Sequence, residues 1–317
     1  MARFVLLRLL QTLLVLAIMS FVIYGLIGLM PGDPINLMLA ADPHLTSADV
    51  ARLKALYGLD QPLLKRYIAW AGAALSGNFG YSRLYATTAI AALAPRLANT
   101  ALLMGLSFVL SLALALPLGA LAARRPGSAL DLCANLLSFA GISVPPFWLA
   151  LMLILVFAVA LGWLPPGGIA TIGDGGILDR AWHLVLPVSV LTLASIGTYL
   201  RYMRAGMIEA LRQDYVRTAR AKGASEARVL WGHALRNALI PVITVVALSF
   251  GSLFSGALVT ETMFAYPGMG KLIYDAILGN DFNVALAGLL FATLLVLLSN
   301  LAADIAYAAA DPRISLR

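Results

Sequence analysis

The chain has 317 residues, of which 61% are hydrophobic and 12% charged, with a net charge of +7 and a mean hydropathy of +0.90. Ordinary soluble domains carry about 45–50% apolar and about 25% charged residues, so there is too little polar surface here to cover the interior of a water-soluble enzyme. A disordered chain and a disulfide-stapled secreted domain are excluded too, the second because Cys133 is the single cysteine; what remains is an integral membrane protein.

A charge at the bilayer centre costs about 2.5–3.5 kcal/mol, so gaps between ionised residues mark candidate spans, each needing about 20 residues at 1.5 Å per residue. The first gap, between Arg8 and Asp33, has 24 residues. Its apolar run exceeds the about 7–15 residues of a signal-peptide core and no small-x-small site precedes Pro31, so residues 1–30 read as a retained first span. An outer segment follows over 31–95, with short amphipathic helices expected at 48–57, stopped by Gly58, and from Pro62 to Trp70. They read as a cap lying on the spans.

The core, 96–317, holds the other spans. Gaps of 27 residues after Arg96 and 42 after Asp131 give a second span and one long third span near 133–162. Pro117 and Pro145-Pro146 are expected to bend their helices, and Trp163 to Gly168 to form an exit loop. Gaps of 20, 24 and 22 residues, after Arg180, Arg236 and Asp281, complete six spans. With the N-terminus inside, 14 of the 22 basic residues fall on inner segments, so the positive-inside rule places both termini in the cytoplasm. That bias accounts for the net charge without a nucleic-acid partner.

The loop over 201–236 carries eleven charged residues, eight of them basic. Ile208, Leu211, Tyr215 and Ala219 form an apolar stripe, Gly223 ends that helix, and Ser225 caps the next, with Glu226 in its first turn. The second helix runs through Val229, Leu230 and Leu235 to Pro241, where the fifth span is expected to begin. Basic charge alone would suit an anchor to anionic lipid, but that reading leaves a stiff two-helix unit with a defined corner unexplained.

Elsewhere, Ser249, Ser252 and Ser255 recur every third residue of the fifth span, with Gly251 and Gly256 nearby, fitting either a polar pathway wall or close helix packing. Asp304, at the end of the last span, calls for a cationic partner, with Arg313 as the candidate, and Glu261 reads as a solvated interfacial charge. His44, His183 and His233 lie apart with no metal-site spacing. Gly268-Met269-Gly270-Lys271-Leu272 lacks the leading Gly and following Ser/Thr of a phosphate loop, and no ionised residue lies well inside a span.

The stretch 217–242, with its Gly223 corner, resembles the coupling loop of bacterial ABC importer permeases, and more narrowly that of the dipeptide, oligopeptide and nickel permeases of the first-subunit type. The resemblance covers nearly the whole chain: Gly58-Leu59-Asp60-Gln61-Pro62-Leu63, Gly77-Asn78-Phe79-Gly80-Tyr81-Ser82, Val144-Pro145-Pro146-Phe147-Trp148, Glu261 through Gly270, and Asp311-Pro312-Arg313. Arg217-Thr218-Ala219 stands where importer permeases in general have Glu-Ala-Ala, Asn78 where relatives often have Asp, and Asn283 where they often have Pro.

The resemblance implies an all-α membrane protein of the type I ABC importer permease fold, with six transmembrane helices, multi-pass in the bacterial inner membrane. It implies a pore subunit for peptides, glutathione, nickel complexes or a related solute, paired with a second homologous permease as a heterodimer. Two ATPase subunits would hold ATP and Mg²⁺, with no cofactor in this chain, and an extracytoplasmic binding protein would deliver the solute. The coupling contact would fall on Tyr215, Arg217, Ala219, Lys222, Gly223 and Ala224, the pathway on Ser249, Ser252 and Ser255, and binding-protein or partner-permease contacts on Asp60, Tyr81 and Glu261. Two other readings compete. A secondary transporter predicts midplane ionisable residues or paired interrupted helices, and an intramembrane enzyme a nucleophile with its base or a metal cluster; the sequence displays neither set.

Overall fold

The computed structural model describes residues 2–29, 61–173 and 175–310. The helix expected at 48–57, Asp60 and Arg313 lie outside them. In chain order the described helices are α1 (Ala2–Gly28), α2 (Leu63–Leu75), α3 (Ala89–Arg124), α4 (Ala129–Ser143), α5 (Pro146–Leu153), α6 (Ile177–Leu211), α7 (Asp214–Ala221), α8 (Glu226–Arg228), α9 (Leu235–Met263), α10 (Met269–Leu278) and α11 (Phe282–Ala310). Wider π-helical turns, Ile154–Ala160 and Val229–Ala234, extend α5 and join α8 to α9. Strands β1 (Tyr81–Ser82) and β2 (Thr87–Thr88) make an antiparallel hairpin within the segment expected to be helical, with Tyr81 opposite Thr88.

Helices α1, α3, α6 and α11 are each long and apolar enough to cross a bilayer, and α4 with α5 makes a fifth candidate as a bent pair. The single long span expected at 133–162 is therefore corrected: α4 and α5 meet at 106°. Pro145 and Pro146 have no N–H to continue the helix, and a residue before proline is driven out of the helical region. Val144 is accordingly extended, with φ −83° and ψ 121°, and Pro146 opens α5 in the first-turn position that tolerates proline. Pro117 leaves α3 continuous, and α9 runs through Pro241 instead of starting there.

Helix α6 is the hub, packed against α3, α4 and α9. Small residues set its distances. A Cβ on Gly141 of α4 would lie 2.5 Å from the Leu193 carbonyl oxygen, and one on Gly197 of α6 would lie 2.5 Å from that of Ser138, so the two backbones touch. Helix α1 instead exposes Leu6, Leu10, Leu13 and Leu14, as an outer helix facing hydrocarbon should. Asp304 finds its cationic partner in Arg8 of α1, Nε to Oδ2 3.3 Å, instead of the expected Arg313.

The bundle has a corner end, carrying α7 and α8, and an opposite hairpin end. At the hairpin end α2 lies on α1, with the Tyr67 ring 5.1 Å from Phe21 and 5.7 Å from Tyr24. The hairpin is held by buried Asp281, whose carboxylate accepts from Ser82 Oγ at 2.6 Å, Leu84 N at 3.0 Å and Val284 N at 3.3 Å.

Candidate functional site

The corner is built by local rules. Helix α6 stops at Leu211, and Gln213 is extended (ψ 153°) before α7 begins with Asp214 in its first turn, where a carboxylate suits the helix dipole. At the far end Ala224 N donates to Ala219 O at 3.1 Å and Gly223 N to Arg220 O at 2.9 Å. That pair of bonds is a Schellman closure, which requires the left-handed φ of +81° found at Gly223. Ser225 caps α8 by accepting from Arg228 N at 3.4 Å.

Two contacts hold the corner shut. Beneath it, Val216 and Ala219 of α7 pack on Val229, with Leu211 and Ala224 at the rim. Above it, Arg220 forks onto Glu226, Nε to Oε1 2.9 Å and Nη2 to Oε2 3.2 Å. The guanidinium holds the Glu226 carboxyl below its usual range, and the same contact raises Arg220. Behind Val229, Leu230 and Ala234 pack with Met203, Met207 and Ala210 of α6, Ala120 and Ala123 of α3, and Ala238 and Val242 of α9. The corner is thus seated in the bundle through buried side chains and cannot swing as a free loop.

The expected contact residues divide. Tyr215, Arg217, Lys222 and Gly223 are exposed, whereas Ala219 is buried against Val229 and Ala224 half-buried. The apolar stripe expected through Tyr215 is corrected. The break at Arg212-Gln213 resets the helical phase, so Val216 takes the inward position and Tyr215, 38% exposed, turns out. Asp214 and Thr218 share that outer face, with Arg217 Nη1 3.3 Å from Asp214 Oδ1. Ser249, Ser252 and Ser255 fall on α9, but their side chains lie outside the described residues.

At the hairpin end Tyr81 is exposed and its carbonyl accepts from Asn283 Nδ2 at 2.9 Å. Glu261 differs from the expected solvated charge: it is fully buried. Its carboxylate accepts from Thr100 Oγ1 of α3 and from Lys271 N at 3.0 Å, and Thr100 Oγ1 in turn accepts from Met269 N at 2.7 Å. Glu261 thus fills the N-terminus of α10 and ties it to α3 and α9, leaving its side chain no surface to offer a partner. The same contact explains the glycines after it. A Cβ at Gly268 would lie 2.1 Å from Glu261 Cδ, and one at Gly270 2.7 Å from Leu258 Cα. The sequence shows the motif, but Thr100, 161 residues away, carries no signal that it belongs to it.

Comparison with known proteins agrees along the whole chain. The family described as "Binding-protein-dependent transport system inner membrane component" matches residues 115–316, and its N-terminal companion matches residues 1–90. The oligopeptide transport system permease protein AppB of Bacillus subtilis (strain 168) is 42% identical over 316 residues, covering 99% of each chain. The di/tripeptide transport system permease protein DppB of Pseudomonas aeruginosa (strain UCBPP-PA14) is 39% identical over 321 residues, covering 92% of each. Among solved structures, a chain of the MetNI methionine ABC transporter in an inward-facing conformation superposes with a TM-score of 0.55 at 19% identity, over 69% of this chain and 96% of that one. That likeness speaks to the fold.

Proposed function

This chain belongs to the binding-protein-dependent transport system inner membrane components, and from that premise we propose that it is the half of a peptide importer's pore that receives the force of ATP hydrolysis at the α7–α8 corner. It is a permease subunit of the bacterial inner membrane, of a family that works with ATPase subunits and a binding protein. The peptide reading is supported by the oligopeptide and di/tripeptide permeases to which it is similar.

In this proposal α9, 29 residues long with Arg236 and Glu261 near its ends, adds a sixth span, and both termini face the cytoplasm with the corner. A second, homologous permease completes the pore as a heterodimer. Each of two ATPase subunits, holding ATP and Mg²⁺, docks one permease corner. On this chain Tyr215, Arg217, Lys222 and Gly223 form the contact, while Ala219 and Ala224 seat it from behind. Ser249, Ser252 and Ser255 line the pathway, and Tyr81 with Asp60 meets the binding protein.

The observation that carries the reading is the seating of the corner. A short exposed helix packs through Val216 and Ala219 onto Val229, and the next residues of that turn, Leu230 and Ala234, enter a core shared by α3, α6 and α9, so a push on the corner passes through this turn to three long helices. The test is reconstitution in proteoliposomes with the second permease, both ATPases and the binding protein. Accumulation of labelled di- and oligopeptides should require ATP and every subunit. Accumulation by this polypeptide alone, or protease access to the corner from outside sealed cells, overturns it. One observation favours secondary transport, namely the broken α4–α5 pair, since such transporters use interrupted helices; uptake driven by an ion gradient without ATP would establish that alternative.

A further inference from the structure

Asp131 opens α4 at the corner end of the bundle and is nearly fully buried. Arg204 of α6 forks onto it, Nε to Oδ1 and Nη2 to Oδ2 at 2.8 Å, and Gly127 N donates to Oδ2 at 2.9 Å. Of the Lys and Arg ion pairs among the described residues, this one has the most buried carboxylate, 3% exposed against 35% or more for the rest. The contact with Gly127, which adopts φ +81° in the turn between α3 and α4, fixes that turn as well. Arg204 lies next to Met203 and one turn before Met207, both fully buried in the core that seats the corner.

Helix α4 is therefore attached to α6 at two levels. Near the break at Val144-Pro145 the backbones touch at Gly141 and Gly197. Close-packed small residues resist separation but allow sliding. At the corner end the bidentate pair fixes both position and direction, because a guanidinium fork holds a carboxylate in one plane. With both attachments, α4 cannot slip along α6. The two attachments bracket α4 from the corner end to the 106° break between α4 and α5.

We propose that Asp131 and Arg204 are positioning residues for energy coupling, a clamp that makes α4 follow α6 when the corner moves. The proposal rests on the importer reading above. It concerns no contact with solute or nucleotide. Asp131 and Arg204 act through α4, and their loss should separate ATP hydrolysis from transport without abolishing either partner's assembly.

The experiment uses the full reconstituted complex. Asp131→Asn should hydrolyse ATP at the wild-type rate while peptide accumulated per ATP falls about tenfold, the scale by which mutations along a coupling route act. Arg204→Lys, which keeps the charge but loses the fork, should show a smaller loss. A second measurement reads position instead of activity, first in the chain with the pair intact. Nitroxide labels on the native Cys133, exposed on α4, and on a cysteine replacing Arg212, exposed after α6, should keep one narrow distance in nucleotide-free and ATP-trapped states. In Asp131→Asn that distance should broaden between states. An unchanged uptake-to-hydrolysis ratio in Asp131→Asn, or a label distance that already shifts between states in the native chain, overturns the clamp while leaving the importer reading standing. Absence of ATP-dependent uptake by the unaltered complex overturns the importer reading, and the clamp with it.

Discussion

Gly223 separates two requirements that the corner could impose, shape and access. Its φ of +81° is a left-handed conformation, and a Cβ built there meets nothing within 4 Å. Alanine at this position therefore suffers no clash within the chain but carries the backbone penalty of the left-handed region, about 1–2 kcal/mol. At room temperature that lowers the population of the closed corner relative to open forms by about five- to thirty-fold. Asparagine tolerates the left-handed region, so Gly223→Asn should recover most of the shape while adding bulk. Gly223→Trp adds more bulk and keeps the strain. The assay is ATP hydrolysis and peptide uptake measured on the same reconstituted complexes. If the corner docks in an ATPase groove, Gly223→Ala should lower uptake moderately, Gly223→Asn should act according to bulk alone, and Gly223→Trp should assemble yet hydrolyse ATP without uptake. Normal uptake by Gly223→Trp would refute the placement of the docking contact at this corner.

Other residues give independent checks. Gly268→Ala places a methyl 2.1 Å from Glu261 Cδ, and Glu261→Ala leaves Lys271 N and Thr100 Oγ1 without their acceptor, at about 1–3 kcal/mol per unmet group; both should lower the melting temperature in detergent, and no shift in either would contradict the buried network. Because Arg220 holds the Glu226 carboxyl below its ordinary range, the pair is intact above the unfolded-state carboxylate pKa and its contribution fades as pH falls through the lowered folded value. Hydrogen-exchange protection at 222–226, corrected for the intrinsic rate at each pH, should therefore fall in acid, and the loss of protection in Glu226→Gln should be full at neutral pH and close progressively as pH drops below the ordinary carboxylate range. The Arg8–Asp304 pair is 43% and 35% exposed, so Asp304→Asn should cost no more than about 1 kcal/mol in a denaturation assay and leave peptide uptake unchanged. Loss of uptake there would point to a carboxylate that carries protons.

The long helices were legible because bilayer insertion depends on charge-free length, a property of the linear chain; the gaps around α1, α3, α6, α9 and α11 follow from it directly. The Gly223 turn was legible because left-handed closure selects glycine by local geometry. The facing of α7 was not. A two-residue break at Arg212-Gln213 shifts every later side chain around the axis, and nothing in the periodicity of Ile208, Leu211, Tyr215 and Ala219 marks it. Long-range polar pairs were equally hidden. Glu261 with Thr100, Asp131 with Arg204 and Asp304 with Arg8 join residues from separate helices, and charge placement reveals the need for a partner without choosing it. The degree of the break between α4 and α5 was also beyond pattern. Pro145-Pro146 signals a bend, but its size depends on what each half packs upon, α6 and α3 for α4, and α9 and α6 for α5.

That break leaves a chemical trace. In a continuous helix the carbonyls of Gly141 and Ile142 would accept from residues 145 and 146, yet both of those are proline and supply no hydrogen. Two strong acceptors are thereby released partway along an apolar hairpin of helices, where acyl chains offer them nothing. Oil is tolerable on Leu136 and Phe139, which are exposed on the preceding turns, but the kink itself requires protein or moisture. The two consecutive imino acids thus leave two backbone acceptors at the kink that hydrocarbon cannot satisfy.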